Sequence, residues 1–563
     1  MHEPDWWRGA ALYQIYPRSF QDANGDGVGD LAGALTRLDY VAGLGVDGVW
    51  LSPIFPSPMR DFGYDVSDYR DVDPCFGTLA DFDALVARAH TLGLKVIIDQ
   101  VWSHTAEEHP WFRQSRESRT NPRADWYVWA DARPDGSPPN NWQSWMGGPA
   151  WRWEPRRRQY HLHNFLPQMP DLNFHCEPVQ DEILAIARFW LERGVDGFRL
   201  DTANLYFHDR GLRDNPALPP DEAGDSPVLM QRHLHNANQP ETLRFLGRLR
   251  ALLDAHPGRM AVAEIGGADS LPRMIEYTQG DSRLHTAYSF ALLGDRHDAA
   301  YVADCLAPWE RDDCGGSRAW PSWAFSNHDS PRVASRWSVP GGGAFAFGGA
   351  KAGNSKPIVA DPVQSAQVAG RVPSAHLHLS LLAALRGTIF LYQGEELGLP
   401  QSAIAFEDLR DPFGKAHWPL NKGRDGCRTP MPWTSELPNA GFSSAAPWLP
   451  ADRAHRALAV DVQESDPSSA LHFTRRLLQL RRQHPSLRLG SFELECVDGT
   501  LLVARRRHGD DHIWLAFNLG GEAREIIAPA DAGTTLLALE PARLHASRVE
   551  LPPYSAVFLQ MAP

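Results

Sequence analysis

Eight short apolar runs recur along the first four-fifths of the chain, and their spacing constrains the fold more than any other feature. They are ALYQIY (11–16), VDGVWLS (46–52), LKVIIDQV (94–101), VDGFRLD (195–201), RMAVAEI (259–265), TAYSFALL (286–293), SWAFSNH (322–328) and TIFLYQGEE (388–396). Each is rich in β-branched or aromatic residues. Most follow a segment of helical period, such as LAGALTRLDYVAGLG or LADFDALVARAHTLG. Parallel strands buried on both faces read as short continuous apolar runs with helices between them. Eight such units predict an α/β chain closed into a (β/α)8 TIM barrel.

The runs also end alike. Asp99 and His104, Arg199 and Asp201, Glu264, His328 and Asp329, and Gln393 and Glu395 stand at or just past their C-terminal ends. Barrel enzymes carry their sites at that end of the strands, so the set predicts one catalytic face. The third run is followed by residues 105–174, which hold seven tryptophans and many prolines and glycines. So long a stretch without periodicity is normally functional. It predicts an inserted subdomain over the barrel mouth, with its tryptophans mainly forming its own core. Residues 469–487 have helical period and are expected to close the barrel. Beyond 490 the alternating runs FELECV, TLLVARRR, HIWLAFNLG, TTLLALE and SAVFLQM predict an antiparallel β-sandwich. The expected division is 1–104 for the first part of the barrel, 105–174 for the subdomain, 175–489 for the rest of the barrel and 490–563 for the C-terminal β domain. A Gly-rich stretch at 339–356 reads equally as a mobile loop near the site or as a flexible linker.

Composition excludes several partners. The net charge of −14 lacks the basic footprint that nucleic acid or an anionic membrane requires. The most apolar stretch, LHLSLLAALRGTIFLYQGE, is broken by Arg386 and Gly387 and is too short to span a bilayer. No apolar run follows a basic start at the N-terminus, and the six cysteines lack metal-site spacing. Free thiols in a cytoplasmic protein are the expectation. The chain suits a neutral small-molecule substrate, acting as a monomer or a homodimer.

Residues 22–30 read DANGDGVGD. Oxygen donors at Asp22, Asn24, Asp26 and Asp30 alternate with glycines that allow a tight wrap, and the Val28 carbonyl adds another. Hard oxygen donors in this pattern suit a structural Ca2+, and Mg2+ less well. The alternative is a solvated acidic turn. No organic cofactor is expected.

The chemistry lies in the strand ends. Arg199 and Asp201 are two apart and share a strand face. The guanidinium is expected to lower the Asp201 pKa and keep it ionised, as a nucleophile needs. Glu264 follows a hydrophobic run, where desolvation raises a carboxyl toward general-acid duty. Two carboxyls about 5 Å apart are the arrangement of a retaining glycosidase. Asp329 and His104 are placed to grip ring hydroxyls.

With these residues on the page, the chain resembles a known family. DQVWSH (99–104), GFRLDTAN (197–204), AEIG (263–266) and SNHDSPR (326–332) look like the four signature regions of the α-amylase family, glycoside hydrolase family 13. QMPDLN (168–173), DGVWLSPIF (47–55) and GTIFLYQGEELG (387–398) resemble its accessory regions. The finer resemblance is to exo-acting α-glucosidases and oligo-1,6-glucosidases, through DFGYDVSDY (61–69) and GRDGCRTPMPW (423–433). It implies Asp201 as nucleophile, Glu264 as acid/base and Asp329 as transition-state stabiliser. It implies that Arg199 orients Asp201, that His104 and His328 bind hydroxyls and that Tyr64 stacks under the sugar. Asp61 and Arg428 would bind the terminal 4-hydroxyl and block chain extension, and Phe165 would line the pocket wall.

Thr202 follows the nucleophile position, where α-1,6-cutting relatives look to carry Val, so the lean is toward α-1,4 bonds. Ser103 stands where Ca2+-dependent α-amylases place Asn, which argues against their interdomain calcium. QMPDLN departs from the QPDLN of oligo-1,6-glucosidases. The implied activity is release of α-glucose from short α-1,4-glucosides such as maltose, with transfer to alcohol or sugar acceptors. The rivals are an oligo-1,6-glucosidase, a sucrose hydrolase, a trehalose-forming isomerase and, more remotely, a non-catalytic binding homologue.

Overall fold

A computed structural model describes residues 5–224, 226–309, 319–337, 375–539, 542–545 and 547–562. The Gly-rich stretch expected at 339–356 lies outside the described residues. Eight parallel strands form the central sheet: β1 (Ala11–Ile15), β2 (Gly48–Leu51), β3 (Lys95–Gln100), β4 (Gly197–Leu200), β5 (Met260–Ile265), β6 (Thr286–Ser289), β7 (Ser322–Ala324) and β8 (Thr388–Tyr392). Their order is β7-β8-β1-β2-β3-β4-β5-β6. A parallel bridge between Ala287 and Pro321 nearly closes the ring, and the Thr286 and Ser322 hydroxyls lie 2.6 Å apart across the same seam. The sixth and seventh strands are shorter than their apolar runs. After Ser289 the chain turns into a 3-10 helix over Ala291–Leu293. After Ala324 it carries the site residues as loop.

Helices cover the outside. The one at Leu79–Thr91 starts in a capping box between Thr78 and Asp81, which satisfies its first N–H groups. It buries Phe82, Leu85, Val86 and Ala89, the i, i+3, i+4, i+7 face of an amphipathic helix. Gly48 and Gly197 start their strands where a neighbouring backbone comes close. A Cβ at Gly48 would meet the Lys95 carbonyl oxygen at 2.6 Å, and one at Gly197 the Met260 oxygen at 2.4 Å.

Inside the barrel, Leu12, Trp50, Ile97, Val262, Tyr288 and Phe390 pack as one buried layer. Side chains two apart on a strand share a face. The next inward positions are therefore Gln14, Ser52, Asp99 and Glu264. Arg199 and Asp201 follow the same alternation on the fourth strand. A polar layer thus sits on an apolar floor at the C-terminal end of the strands.

Between the third and fourth strands, Trp129–Ala130, Trp151–Glu154 and Gln159–Leu162 form a small antiparallel sheet. Val128, Trp142, Ala150, Trp151 and Leu162 pack together as its core. The C-terminal region holds a five-stranded and a three-stranded antiparallel sheet. Leu501, Val503, Trp514, Val549, Leu551 and Val557 join the two sheets in one apolar cluster. The helix Ala470–Gln483, capped by Ser469, buries Leu471, Phe473, Leu477 and Leu478. Its buried Arg481 donates to the carbonyls of Ala383, Leu487 and Gly387, tying the barrel to the start of the C-terminal domain. The five described cysteines are free thiols. No helix among the described residues is long and apolar enough to cross a membrane.

Candidate active site

The polar layer opens into a cavity at the barrel mouth. Asp201, Glu264, Asp329, Asp61, Tyr64, His104, Phe165 and Thr202 line it, together with Trp145, Met169, Asn204, Leu205, Phe290 and Arg424. Arg199, His328 and Arg428 stand behind the wall, at 0%, 0% and 1% exposure.

Arg199 is the centre of the floor. Its Nη1 donates to Asp99 Oδ1 at 2.7 Å and to Asp201 Oδ1 at 2.6 Å, and its Nη2 donates to Glu264 Oε1. One guanidinium therefore binds three buried carboxylates. Tyr288 adds its hydroxyl to Glu264 Oε1 at 3.0 Å. Thr202 links both acids: its N–H donates to Glu264 Oε2 at 3.1 Å and its hydroxyl to Asp201 Oδ2 at 3.2 Å. It does so from a left-handed backbone, φ 40°, which is strained for a β-branched residue. That turn aims the peptide N–H back across the strand ends.

The expectation that Arg199 keeps the Asp201 carboxyl low is corrected here. Burial pushes Asp201 up to about 7, against the Arg199 charge and with Asp99 adding repulsion. Burial likewise pushes Glu264 up to about 7, again opposed by Arg199. One positive charge does not offset three desolvated carboxylates, so the cluster takes up a proton near neutrality. Asp201 therefore titrates together with its buried neighbours rather than alone. One neutral acid beside one carboxylate is the state in which a retaining glycosidase begins its reaction. Asp329 behaves oppositely. Burial raises it, but His328, Arg424 and Arg428 outweigh burial and hold it well below the ordinary carboxylate range. It stays an anion.

Tyr64 lies parallel to the His328 ring, with centroids 5.2 Å apart and planes 4° apart, and its hydroxyl donates to Asp99 Oδ2. His104 donates from Nε2 to the Tyr64 carbonyl oxygen at 3.0 Å, and its Nδ1 accepts from Ser103 Oγ at 2.8 Å. Phe165 packs on the His104 ring at 5.1 Å.

Asp61 and Arg428 were expected to meet the same sugar hydroxyl, but Asp61 and Arg424 line the cavity while Arg428 lies behind it. Arg424 Nη2 donates to Asp61 Oδ1 at 2.6 Å and to Asp411 Oδ1 at 2.8 Å, and its Nη1 reaches Asp329 Oδ1 at 3.3 Å. Arg428 instead donates to the His328 carbonyl oxygen and to Asp329 Oδ1, at 2.7 and 2.8 Å. The 3-10 turn Asp425–Cys427 separates the two arginines and directs Arg428 behind Asp329. Both arginines stand in GRDGCRTPMPW, so the motif located the wall but not which guanidinium faces it. Tyr288 and Trp145 were also missed. Strand alternation points Tyr288 inward, whereas no periodicity marks Trp145, which stacks on His233 at 4.9 Å.

No cluster of three or more His, Cys, Asp or Glu side chains among the described residues is placed to hold a metal ion. In the 22–30 loop, Asp22 accepts from the N–H groups of Gly25 and Gly27 and from the Ser443 hydroxyl. Asn24 accepts from Asp26, Asp26 from Val28, and Asp30 from Ala23, Asn24 and Gly33. A carboxylate has about four acceptor positions, so these bonds leave lone pairs for a cation.

The alpha amylase catalytic domain family matches residues 14–343 and 362–490, and a domain of unknown function, DUF3459, matches 489–558. A probable alpha-glucosidase of Rhizobium meliloti (strain 1021) is 50% identical over 573 residues, spanning 99% of this chain and 97% of that protein. The crystal structure of an alpha-glucosyl transfer enzyme is similar with a TM-score of 0.89 at 50% identity, over 99% of each chain. The trehalulose synthase MutB from Pseudomonas mesoacidophila MX-45 is similar with a TM-score of 0.84 at 30% identity, again over 99% of each chain.

Proposed function

The chain belongs to the alpha-amylase family, and from that premise we propose that it is a retaining, exo-acting α-glucosidase that removes α-glucose from the non-reducing end of short α-1,4-glucosides. The observation that carries this reading is the pair Asp201 and Glu264, held by one guanidinium at the floor of a pocket whose far wall is the Arg424–Asp61 ion pair. A glucosyl unit enters with its 4-hydroxyl toward that wall. Glu264 protonates the glycosidic oxygen. Asp201 attacks the anomeric carbon from the opposite face and forms a β-glucosyl ester. Glu264 then takes a proton from water, which opens the ester and releases α-glucose. Asp329, fixed as an anion by two arginines, binds ring hydroxyls as positive charge develops.

An alcohol or sugar can replace water in the second half, and this transfer is part of the proposal. The apolar flank of the cavity, formed by Met169, Leu205, Phe290 and Trp145, supports it by offering an acceptor a surface that water does not use. The experiment is product analysis from maltose, maltotriose, isomaltose and sucrose, with and without an added alcohol. Stepwise loss of glucose, α-configured as released, is expected. Release of internal fragments would overturn the exo assignment.

Thr202 supports the α-1,4 preference. Its hydroxyl lies 3.0 Å from Ser103 Oγ as well as against Asp201. Thr202→Val keeps the β-branched shape and removes only that hydroxyl. The ratio of kcat/KM for maltose over isomaltose is expected to fall about tenfold, within the range one pocket contact supplies. An unchanged ratio assigns linkage choice elsewhere.

The proposal includes structural Ca2+, with Mg2+ a poorer fit, at Asp22, Asn24, Asp26, Val28 and Asp30, supported by the all-oxygen donor set. Chelation with EDTA is expected to lower Tm by several degrees, with Ca2+ restoring it better than Mg2+. A Tm indifferent to both identifies the loop as a turn closed by its own N–H groups.

A further inference from the structure

We infer that Gln14, which no part of the reaction scheme uses, is a positioning residue: its side-chain amide holds His328 in the tautomer that carries its proton on Nε2, the nitrogen facing Asp329 and Tyr64. The inference rests on the reading of Asp329 as the group that binds ring hydroxyls, with His328 behind it, but its first test does not require a substrate.

Gln14 is inward-facing on the first strand and 1% exposed. Its Nε2 lies 2.8 Å from His328 Nδ1 and donates to Ser52 Oγ at 3.1 Å. Both hydrogens of the amide nitrogen thus have a direction, while its Oε1 is buried without a partner among the described residues. The other ring nitrogen settles the polarity. His328 Nε2 lies 3.2 Å from Asp329 Oδ2, a carboxylate that only accepts. It also contacts the Tyr64 hydroxyl, whose hydrogen goes to Asp99. Both neighbours of Nε2 therefore call for a hydrogen on it.

The ring is neutral. Burial drives the His328 imidazole down to about 3, and the nearby arginines 428, 199 and 424 oppose a second positive charge, against the attraction of Asp329. A neutral ring with hydrogen on Nε2 has a bare lone pair on Nδ1. Only a donor satisfies it, and Gln14 is that donor. Turning the amide over would set an oxygen lone pair against a nitrogen lone pair and leave two buried N–H bonds empty. The orientation shown leaves one carbonyl oxygen empty instead, a smaller loss.

The ring's plane is fixed independently. Tyr16 stacks at 5.7 Å and 17° and Tyr64 at 5.2 Å and 4°, while Trp50 meets the ring edge-on at 6.0 Å. Aromatic packing therefore sets where the imidazole lies, and Gln14 sets which nitrogen is protonated. Histidine roles in catalysis depend on that second choice.

The test is a long-range 1H–15N spectrum of 15N-histidine-labelled full-length protein, with the His328 signals identified by their loss in His328→Gln. A pyrrole-type Nε2 and a pyridine-type Nδ1 are expected in the wild type. Gln14→Glu is isosteric but replaces the donor by an acceptor, so Nδ1 should become protonated and kcat should fall about tenfold or more, as wrong-tautomer variants do. Gln14→Met keeps the volume and supplies neither, and should give a similar loss of kcat with an intact far-UV spectrum. A wild-type ring protonated on Nδ1 alone would overturn the inference. So would variants that lose thermal stability yet keep the same tautomer and wild-type kcat, since those mark a purely structural glutamine.

Discussion

Asp201→Asn is expected to reduce kcat for an aryl α-glucoside by about 10⁴-fold or more, some 5 kcal/mol of transition-state stabilisation. The size follows from the role. An amide carries no charge to meet the developing oxocarbenium ion and forms no ester with C1. The fold should survive, because the Asn carbonyl oxygen can still accept from Arg199 Nη1, now 2.6 Å from Asp201 Oδ1. Unaltered circular dichroism beside lost turnover is the expected pair of results. A second variant, Asp201→Gly, clears the face that the carboxylate occupies. Azide should then restore turnover and yield a β-glucosyl azide from an α-glucosyl fluoride. Turnover of Asp201→Asn within tenfold of wild type would falsify the assignment.

Arg199→Gln has the second largest expected effect, and it tests the electrostatics of the floor. Asp99, Asp201 and Glu264 all bond to this side chain. Its positive charge lowers the pKa of each, against burial that raises all three to about 6 or 7. The sign is therefore fixed: without the charge, all three move up. For the wild type, kcat/KM should give a bell whose two limbs fall either side of about 7, because burial raises both Asp201 and Glu264 to about 7. In Arg199→Gln the acid limb should move up by about 1 unit or more, as the nucleophile holds its proton longer. The maximum should drop about 10³-fold, since the carboxylates lose their shared anchor as well as their charge balance. An acid limb that stays in place, or moves down, would show that burial and Arg199 do not oppose each other as described.

Much of this was legible from the residues alone. The eight strands announced themselves because a strand covered on both faces must be apolar throughout, and the acids at their ends interrupted that rule. Asp201, Glu264 and Asp329 stand out in the sequence for this reason. The polar layer was harder to see. Gln14 and Ser52 belong to it, but a glutamine inside ALYQIY reads as an ordinary strand residue until the register places it beside His328. The charge state of Asp201 was misjudged because the neighbouring arginine was visible in the sequence while its two further clients, Asp99 and Glu264, were not. Arg424 and Arg428 differ only in which side of a 3-10 turn they leave, a choice made by backbone geometry that composition does not record. The seventy-residue insertion was recognisable as a unit, yet the placement of Trp145 against His233 depends on two loops that share no pattern.

Arg424, tethered to Asp61 and Asp411 and turned toward Asp329, closes the cavity at one end. On the proposed exo reading, that end is shut and substrate and product share one doorway. In the proposed scheme, while the glucosyl group stays esterified, whatever leaves must back out past whatever waits to enter, so the departing sugar, water and any alcohol would queue at the same threshold. On that reading a long polymer would have no exit to slide through and would be let go after every cut. The proposed partition between hydrolysis and transfer would then be a matter of traffic at that doorway, governed by how fast the first visitor clears it.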